Sequence, residues 1–281
     1  MKISVDDWGG FKFVNLDSSN IDECMKYYFN GQADGIMVHP YGKYKKNDLA
    51  FLKKYKNIKR FIISYGDKID ISLLPLLQEV EYLGVFDKQQ AIDYRIFKNL
   101  KELRITWHKR VDLPEKSNLL TSLYLHAYSP ANKSLAALPD YRNLESLEFL
   151  GGSIETLSGF KRFQKLQNLT IIRLLKLRKI FKIEKLSGFI NLHLELCKKI
   201  QDANCIAKLE TLFYVDNGEL SSIKFLSKMK SLEKVFLRDA NVLDGNVLPL
   251  SKLKIAGFSN KRHYSHTSEQ IDALIESNKI I

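Results

Sequence analysis

The sequence predicts an α/β solenoid in which short parallel strands stack one repeat on the next. Three observations support this: one apolar phrase recurs ten times in 281 residues, its copies lie about 22 residues apart, and the apolar spacing is three almost everywhere but two once per repeat. A spacing of two puts two side chains on one face of a strand, whereas a spacing of three suits a tight 3₁₀-like segment. Each repeat is therefore predicted to form a strand, a turn and a short return segment.

The repeated phrase has apolar residues at its first, fourth and sixth positions. The steps between first positions are 22, 20, 20, 24, 22, 23, 20, 23 and 18 residues. A repeat of this size cannot bury its own apolar edge, so neighbouring repeats must stack into one continuous domain with capped ends. The ten copies are Ile58-Phe61-Ile63, Val80-Leu83-Val85, Leu100-Leu103-Ile105, Leu120-Leu123-Leu125, Leu144-Leu147-Phe149, Leu166-Leu169-Ile171, Phe189-Leu192-Leu194, Leu209-Leu212-Tyr214, Leu232-Val235-Leu237 and Leu250-Leu253-Ile255.

The N-terminal segment has the features of a cap. Alternating apolar residues on either side of Gly9-Gly10 predict a small hairpin, and an apolar stripe at helical spacing predicts a capping helix over 20–30. Ile36 and Val38 are predicted to form the first strand, and Asn47 to open a second short helix.

The C-terminal segment is predicted to be a closing helix. Thr267, three residues before Gln270, forms a capping-box pattern ahead of one apolar face. The predicted organisation is an N-terminal cap over 1–32, a repeat array over 33–258 and a C-terminal cap helix over 259–281.

The ten phrases resemble those of bacterial leucine-rich-repeat proteins, specifically the cytosolic type with short, internalin-like repeats and thin outer walls. This resemblance covers about residues 33–258. It implies a horseshoe with parallel strands on the concave wall, short 3₁₀ or irregular return segments, and helical caps. The family usually places Asn or Cys at the ninth position of the phrase; only Cys197 and Asn217 comply here, so the other turns are expected to satisfy their buried amides differently.

The segment 261–266 also resembles the end of bacterial cytosolic repeat proteins. Some similar proteins are encoded beside polymorphic toxins as presumed immunity partners, and the resemblance therefore implies an immunity-type protein as one role. A toxin gene upstream would favour that role over the others.

The sequence predicts a cytoplasmic location. The sequence begins with two acids, Asp6 and Asp7, where a secretory signal needs an apolar run, and no later stretch is apolar enough to span a membrane. The three cysteines, Cys24, Cys197 and Cys205, are too few and odd in number for a disulfide framework. A net charge of +12 favours acidic partners at long range.

The strand residues that point away from the core are the candidate binding residues, because repeat proteins of this kind bind through the concave wall. Such positions should be mostly polar if nothing docks there, yet aromatic residues recur among them. Alternatively, some of these aromatics only cover neighbouring strands. The predicted protein-binding residues are Tyr82, Phe86, Arg104, Trp107, Tyr124, His126, Glu148, His193, Glu195, Phe213, Phe236 and Arg238.

Charge on this predicted wall is mixed. Glu102 joins the other acids near the middle, and Lys234, Lys252 and Lys254 join Arg238 toward the end. Such a layout favours one orientation of a protein partner over a uniform polyanion.

The densest basic stretch, residues 161–185, lies elsewhere. Nine Lys and Arg residues minus Glu184 leave +8. A solvated outer face, a patch for an acidic protein and a nucleic-acid site are the alternatives; nucleic acid is disfavoured because stacking aromatics are missing.

No phosphate loop, paired catalytic carboxylates or nucleophile elbow is present, so no catalytic residue, cofactor or enzymatic activity is predicted. His263 and His266 lack a further ligand at zinc spacing, and no metal is predicted. Three functions remain open: a cytosolic module that binds one protein, a secreted effector that recruits a host protein, and a polyanion binder. The oligomeric state is not predicted.

Overall fold

The structure is a computed structural model that describes residues 3–39, 42–64, 69–86, 91–115, 117–178, 180, 190–200 and 209–279. It contains seventeen strands and two α-helices in the described part of the chain. The strands are β1 Val5–Trp8, β2 Phe11–Asn15, β3 Gly35–Val38, β4 Arg60–Ile63, β5 Tyr82–Val85, β6 Ile92–Asp93, β7 Glu102–Thr106, β8 Val111–Asp112, β9 Ser122–Tyr128, β10 Ser146–Gly152, β11 Asn168–Ile172, β12 Asn191–Glu195, β13 Thr211–Val215, β14 Glu219–Leu220, β15 Lys234–Leu237, β16 Asn241–Val242 and β17 Ile255–Phe258.

Thirteen strands form one sheet in the order β1-β2-β3-β4-β5-β7-β9-β10-β11-β12-β13-β15-β17, and the pairs β6–β8 and β14–β16 are separate. Within this sheet β1 and β2 are antiparallel, whereas the neighbouring strands from β2 to β9 and from β10 to β17 run parallel to one another. Because consecutive strands are neighbours and each crossover is one return segment, this is the leucine-rich-repeat arrangement that the period predicts. The predicted fold class is confirmed.

The chain packs into two compact units. The first unit is Met1–His126 with Pro139–Tyr141, and the second is Ala127–Leu138 with Arg142–Ile281. This division does not test the domain boundaries near residues 32 and 259, which stay predictions.

The fourth position of the phrase forms the centre of each unit's core. Register places these side chains opposite one another on adjacent strands. Each is at most 1% exposed, and burying a side chain of this size contributes about 1.5–3 kcal/mol. They are Phe61, Leu83, Leu103 and Leu123 in the first unit, and Leu147, Leu169, Leu192, Leu212 and Val235 in the second. Val14 and Ile36, on the two strands that precede the first phrase, continue the same row.

The return segments are mostly short 3₁₀ helices, as the spacing of three predicts. A 3₁₀ helix eclipses residues three apart, so every third side chain can enter the core. These helices are Ala50–Lys53, Leu74–Leu76, Tyr94–Ile96, Leu135–Ala137, Phe160–Arg162, Lys224–Lys228 and Leu248–Lys252.

In six successive repeats, from the one that contains β9 to the one that contains β15, the chain leaves the strand through a left-handed residue that belongs to the second unit. This residue is always the eighth of the phrase, and in five repeats it is not glycine, although the conformation costs about 1–2 kcal/mol for an ordinary residue. Their φ angles lie between 46° and 59° for Ala127, Arg173, Leu196, Asp216 and Asp239, and Gly151 has φ 68°.

The next repeat fixes this turn. The backbone N–H of Arg173 donates to the carbonyl of Glu195 at 2.9 Å, and that of Leu196 donates to Val215 at 3.1 Å. The amide of Asp216 donates to Arg238 in the same way, at 2.9 Å. A satisfied buried amide offsets the conformational cost.

Both predicted caps are present. The hairpin is β1–β2, and the helix expected over 20–30 is α1, Ile21–Tyr27, continued by a π-helical turn over Tyr28–Gln32. The short helix expected from Asn47 is the 3₁₀ helix Ala50–Lys53. α2, Ser268–Asn278, begins with the predicted capping box, in which Thr267 and Gln270 exchange backbone and side-chain hydrogen bonds.

The last repeat is shifted by three residues from the predicted phrase. Val235 lies opposite Ala256 and not opposite Leu253, so the phrase is Leu253-Ala256-Phe258, 21 residues after Leu232. Leu250 instead ends up in the 3₁₀ helix Leu248–Lys252. The predicted copy Leu250-Leu253-Ile255 is therefore wrong. Leu253 fits the pattern in two ways, as the fourth residue of the predicted phrase and as the first residue of the observed phrase.

Candidate functional site

The open face is defined as the side chains at the third, fifth and seventh positions of the phrase, because residues alternate along a strand and the fourth and sixth point into the core. Ten of the twelve predicted residues lie at the fifth or seventh position, Tyr82 lies at the third, and Trp107 lies just beyond the end of β7. Arg238 is counted at the seventh position although β15 ends at Leu237. The aromatic side chains of this face differ in exposure between the two units.

In the first unit the aromatic side chains of the open face are buried. Tyr82 is 3% exposed, Phe86 5% and Tyr124 6%. The rings of Phe86 and Tyr124 meet edge to face, with centroids 5.9 Å apart. The expectation that these three side chains face solvent is wrong; the alternative, that aromatics cover neighbouring strands, holds here.

The N-terminal hairpin closes this aromatic cluster. Trp8 lies 6.0 Å from Phe86 between ring centroids, and Phe11 lies 6.1 Å from Tyr82. The guanidinium of Arg60 lies over the ring of Phe11 at 4.3 Å, a cation–π contact. Together these residues form a second core on the face that the sequence predicts to be accessible.

Glycine makes room for this second core. A Cβ on Gly35 would lie 2.5 Å from Cε1 of Phe13, and one on Gly84 would lie 3.1 Å from Cγ1 of Ile62. The sequence prediction omitted Trp8, Phe11 and Arg60. Their only sequence signal is the pair of aromatic residues on either side of Gly9-Gly10, which a hairpin brings to one face.

Three predicted residues of the first unit stay partly exposed at the edge of this cluster. The guanidinium of Arg104 lies over the ring of Tyr124 at 4.4 Å. Nδ1 of His126 is 3.3 Å from Oγ1 of Thr106, and the carbonyl of His126 accepts from the amide of Trp107 at 2.8 Å. The side chains of Arg104 and His126 are thus engaged within the fold, and Trp107 is held through its backbone amide.

Glu102, at the third position beside this cluster, is half-buried. Burial raises the pKa of its carboxyl, and the positive charges of Arg104 and Arg60 act in the opposite direction. The first unit thus presents an edge of arginines and one carboxyl around a closed aromatic interior.

In the second unit the open face keeps a partly exposed aromatic row. The row consists of His193, Phe213 and Phe236, which occupy the fifth position of three adjacent strands, β12, β13 and β15. His193 and Phe213 have ring centroids 5.4 Å apart, and Phe213 and Phe236 stack at 4.7 Å with an interplanar angle of 7°. The structure brings these three predicted residues together.

Gly257 completes the row on its β17 side. It lies opposite Phe236, and a Cβ there would come within 2.9 Å of Cδ1 of that ring. In the predicted phrase, which began at Leu250, Lys254 would lie next to Phe236. In the observed phrase, which begins at Leu253, Lys254 is at the second position, and its ammonium pairs with Glu233 at 2.7 Å. Lys252 lies in the preceding 3₁₀ helix. The predicted place of Lys252 and Lys254 on the wall is therefore wrong.

Charged residues border the aromatic row on both sides. Nε2 of His193 is 3.1 Å from Oε2 of Glu195, with 33% and 28% of the side chains exposed. Lys234 and Arg238 are exposed at the third and seventh positions beside Phe236. Glu148 is partly exposed on β10, two strands beyond His193.

Cys197 and Asn217 form the hydrogen bonds that the resemblance implies. Oδ1 of Asn217 accepts from the amide of Cys197 at 2.7 Å, and its Nδ2 donates to the carbonyl of Leu194 at 2.7 Å. Burial raises the pKa of the Cys197 thiol to about 11, so it is a packed core thiol at neutral pH. Cys205 lies outside the described residues.

No constellation for metal binding is found among the residues that the structure describes. His263 contacts the carbonyl of Val242 through Nε2 at 3.0 Å, and Nδ1 of His266 is 2.9 Å from Oγ of Ser265. His263 is thus engaged with the backbone of β16. No helix in the described ranges combines the length and apolar character needed to cross a membrane.

The basic stretch is only partly described. Arg162 donates from Nη2 to the carbonyl of Leu135 at 2.7 Å, so this guanidinium is part of the fold. Lys165, Arg173 and Arg178 are exposed. Lys179, Lys182, Lys185 and the side chain of Lys161 lie outside the described residues.

Comparison with solved structures finds an internalin (inlF) from Listeria monocytogenes. Its crystal structure aligns with 78% of this chain and 86% of its own length, at 14% sequence identity and a TM-score of 0.34. No family model and no curated protein matches the chain. The geometry described above therefore carries the functional argument.

Proposed function

We propose that this protein binds another protein through the open face of its second unit, and that it acts by binding and not by catalysis. The observation that carries the proposal is the partly exposed row of His193, Phe213 and Phe236. Aromatic residues inside a polar surround are the side chains that contribute most to protein–protein affinity.

The row is held by the sheet beneath it. Leu212 and Val235, the buried neighbours of Phe213 and Phe236, are opposite each other in register, and both are at most 1% exposed. Stacking also restricts the rotamers of the two phenylalanines. Little side-chain entropy is then lost on binding, which favours affinity.

The first unit is the less suitable surface, because Tyr82 and Phe86 already contact the hairpin and Tyr124 packs against Phe86. Of the twelve predicted residues, those of the second unit are the proposed site: Glu148, His193, Glu195, Phe213, Phe236 and Arg238.

An immunity-type protein and a secreted effector would both use such a face, in different compartments. A toxin gene next to this gene supports the immunity role, and detection of the protein only in the cell pellet under secretion-inducing conditions argues against the effector role. A cytoplasmic location is the prediction that accompanies the immunity role.

Capture from the source cell tests the proposal. The wild-type protein, the double variant Phe213→Ala/Phe236→Ala and a control variant, Leu175→Ala, are immobilised and the bound proteins compared. Leu175 is 59% exposed on a return segment, so its removal takes away apolar surface without changing the open face.

A partner retained by the wild type and by Leu175→Ala, but lost by the double variant, supports the open face. Equal capture by all three proteins contradicts it. Matching thermal unfolding of the three proteins shows that a loss of capture is not a loss of fold.

A further inference from the structure

We infer that the partner of this face is an acidic protein surface with an exposed aromatic or aliphatic side chain at its centre. This inference rests on the proposed function, and it adds the chemistry of the partner. Three features of the second unit carry it: the orientation of the rings, the charges on β15 and the net charge of the chain.

The rings of the row turn their edges toward solvent. Phe213 and Phe236 stack 4.7 Å apart, close to the spacing of neighbouring strands, so each covers one face of the other. The contact over Gly257 covers Phe236 on its other side. The edge of an aromatic ring is electropositive, and it attracts carboxylates, carbonyl oxygens and the faces of other aromatic rings.

Positive charges border these ring edges. Lys234 and Arg238 lie two residues before and after Phe236, both exposed, and no described acidic group forms an ion pair with either. Along a strand, four residues span about 13 Å, which leaves room for one side chain of a partner between two of its carboxylates.

The acidic groups near the row are already engaged or lie at its margins. Glu195 pairs with His193. Asp239 is at the strand exit and accepts from the hydroxyl of Ser259 at 3.4 Å, while Glu210 is at the strand entry, one residue before β13. The positions that surround Phe236 on the open face itself are therefore net positive.

The charge of the whole chain acts in the same direction. A net charge of +12 attracts an acidic partner at long range and repels a basic one, mainly through the association rate. The local and the overall charge thus select the same partner class.

Binding of synthetic polypeptides to the full-length protein tests the inference. Three labelled probes are compared by fluorescence anisotropy: a random copolymer of glutamate and tyrosine, a random copolymer of lysine and tyrosine, and a glutamate homopolymer of matched length. We expect the glutamate–tyrosine copolymer to bind about tenfold more tightly than the homopolymer, because only it supplies ring contacts.

Variants locate the binding. Phe213→Ala/Phe236→Ala should reduce the affinity for the glutamate–tyrosine copolymer to that for the homopolymer. Lys234→Glu/Arg238→Glu should shift the preference to the lysine–tyrosine copolymer. The control Lys224→Glu/Lys230→Glu changes the net charge by the same amount, at exposed lysines of the preceding return segment, and should keep the wild-type preference.

The possible failures are distinguishable. If the lysine–tyrosine copolymer binds the wild type as tightly and depends on Phe213 and Phe236, the acidic partner is wrong while the binding face stands. If glutamate polymers bind without regard to the two phenylalanines and both charge variants behave alike, only net charge is involved and the inference is wrong. If no aromatic probe depends on the phenylalanines, the proposed function at this face is contradicted as well.

Discussion

Alanine at Gly152 should destabilise the protein far more than alanine at its neighbour Gly151. Gly152 has φ 129°, and a Cβ there would lie 2.2 Å from the carbonyl oxygen of Tyr128 and 2.9 Å from its carbonyl carbon and nitrogen. These are backbone atoms, and the same oxygen accepts from the amide of Ser153 at 3.0 Å. An ordinary contact between carbon and oxygen is about 3.3 Å, so the two turns must separate by about 1 Å.

The magnitude of this effect follows from two contributions. Backbone strain outside the left-handed region costs about 1–3 kcal/mol, and loss of the hydrogen bond from Ser153 costs about 1 kcal/mol more. We therefore expect Gly152→Ala to lower the free energy of unfolding by about 3 kcal/mol. Gly151→Ala should cost only about 1 kcal/mol, because φ 68° is the left-handed conformation that Arg173 adopts in the next repeat, and no atom lies within 4 Å of the added Cβ.

Urea and thermal unfolding, followed by circular dichroism, measure both variants against the wild type. For a chain of this size about 1 kcal/mol corresponds to 2–4 °C in Tm, so the two variants should differ by at least about 4 °C. Equal losses, or a Gly152→Ala variant as stable as Gly151→Ala, would refute the clash with the Tyr128 carbonyl.

Three other substitutions or modifications test separate parts of the structure. Trp8→Ala should uncover Phe86 and lower the free energy of unfolding by about 1–3 kcal/mol, seen as increased binding of a hydrophobic dye and a lower Tm; unchanged dye binding contradicts the closed aromatic cluster. Cys197 should react with iodoacetamide at pH 8 about 100-fold more slowly in the folded protein than in urea, because burial raises the pKa of its thiol to about 11. Peptide mass spectrometry measures the two alkylation rates, and equal rates contradict the burial of Cys197. Glu81→Gln should be less stable than the wild type at pH 7 and equally stable at pH 2. The hydrogen bond from Lys101 lowers the pKa of the Glu81 carboxyl, so the stabilisation is present above the ordinary pKa of a glutamate and is lost as the pH falls. Urea unfolding at both pH values measures the difference in stability, and a difference that persists at pH 2 contradicts this role of Glu81.

The core could be predicted from sequence because its signal is local and periodic. In the described ranges, the fourth residue of each phrase from Phe61 to Val235 is buried and in register with its neighbours. An apolar spacing of three followed by two is enough to identify these residues. The last repeat shows the limit of that signal. Leu253 fits two overlapping phrases, and the choice between them depends on the 3₁₀ helix that incorporates Leu250, with Pro249 in its first turn.

The sequence was enough to predict which residues lie on the open face, but not which of them are exposed to solvent. Alternation along a strand correctly assigned Tyr82 and Phe213 to the same face of their repeats. It carries no information on which other segments pack on that face. Phe11 and Phe13, 71 and 69 residues before Tyr82, both contact its ring, with centroids 6.1 and 5.7 Å away. Among the described residues, the rings that contact Phe213 are those of His193 and Phe236 at the same position of their repeats, and Phe213 stays partly exposed.

The left-handed residues at the strand ends make repeats of the second unit depend on the repeat that follows them. The amides of Arg173, Leu196 and Asp216 each donate to a carbonyl of the following repeat, as that of Leu196 donates to Val215. At the end of the series the hydroxyl of Ser259 takes that place for the amide of Asp239, at 3.4 Å. A deletion that removes a repeat from the C-terminal side therefore releases a strained turn in the repeat that remains, whereas removal from the N-terminal side leaves an unpaired carbonyl and no strained amide. Either deletion also exposes the apolar edge of the neighbouring repeat. Circular permutants and shortened versions of this unit should accordingly tolerate loss of their first repeat better than loss of their last.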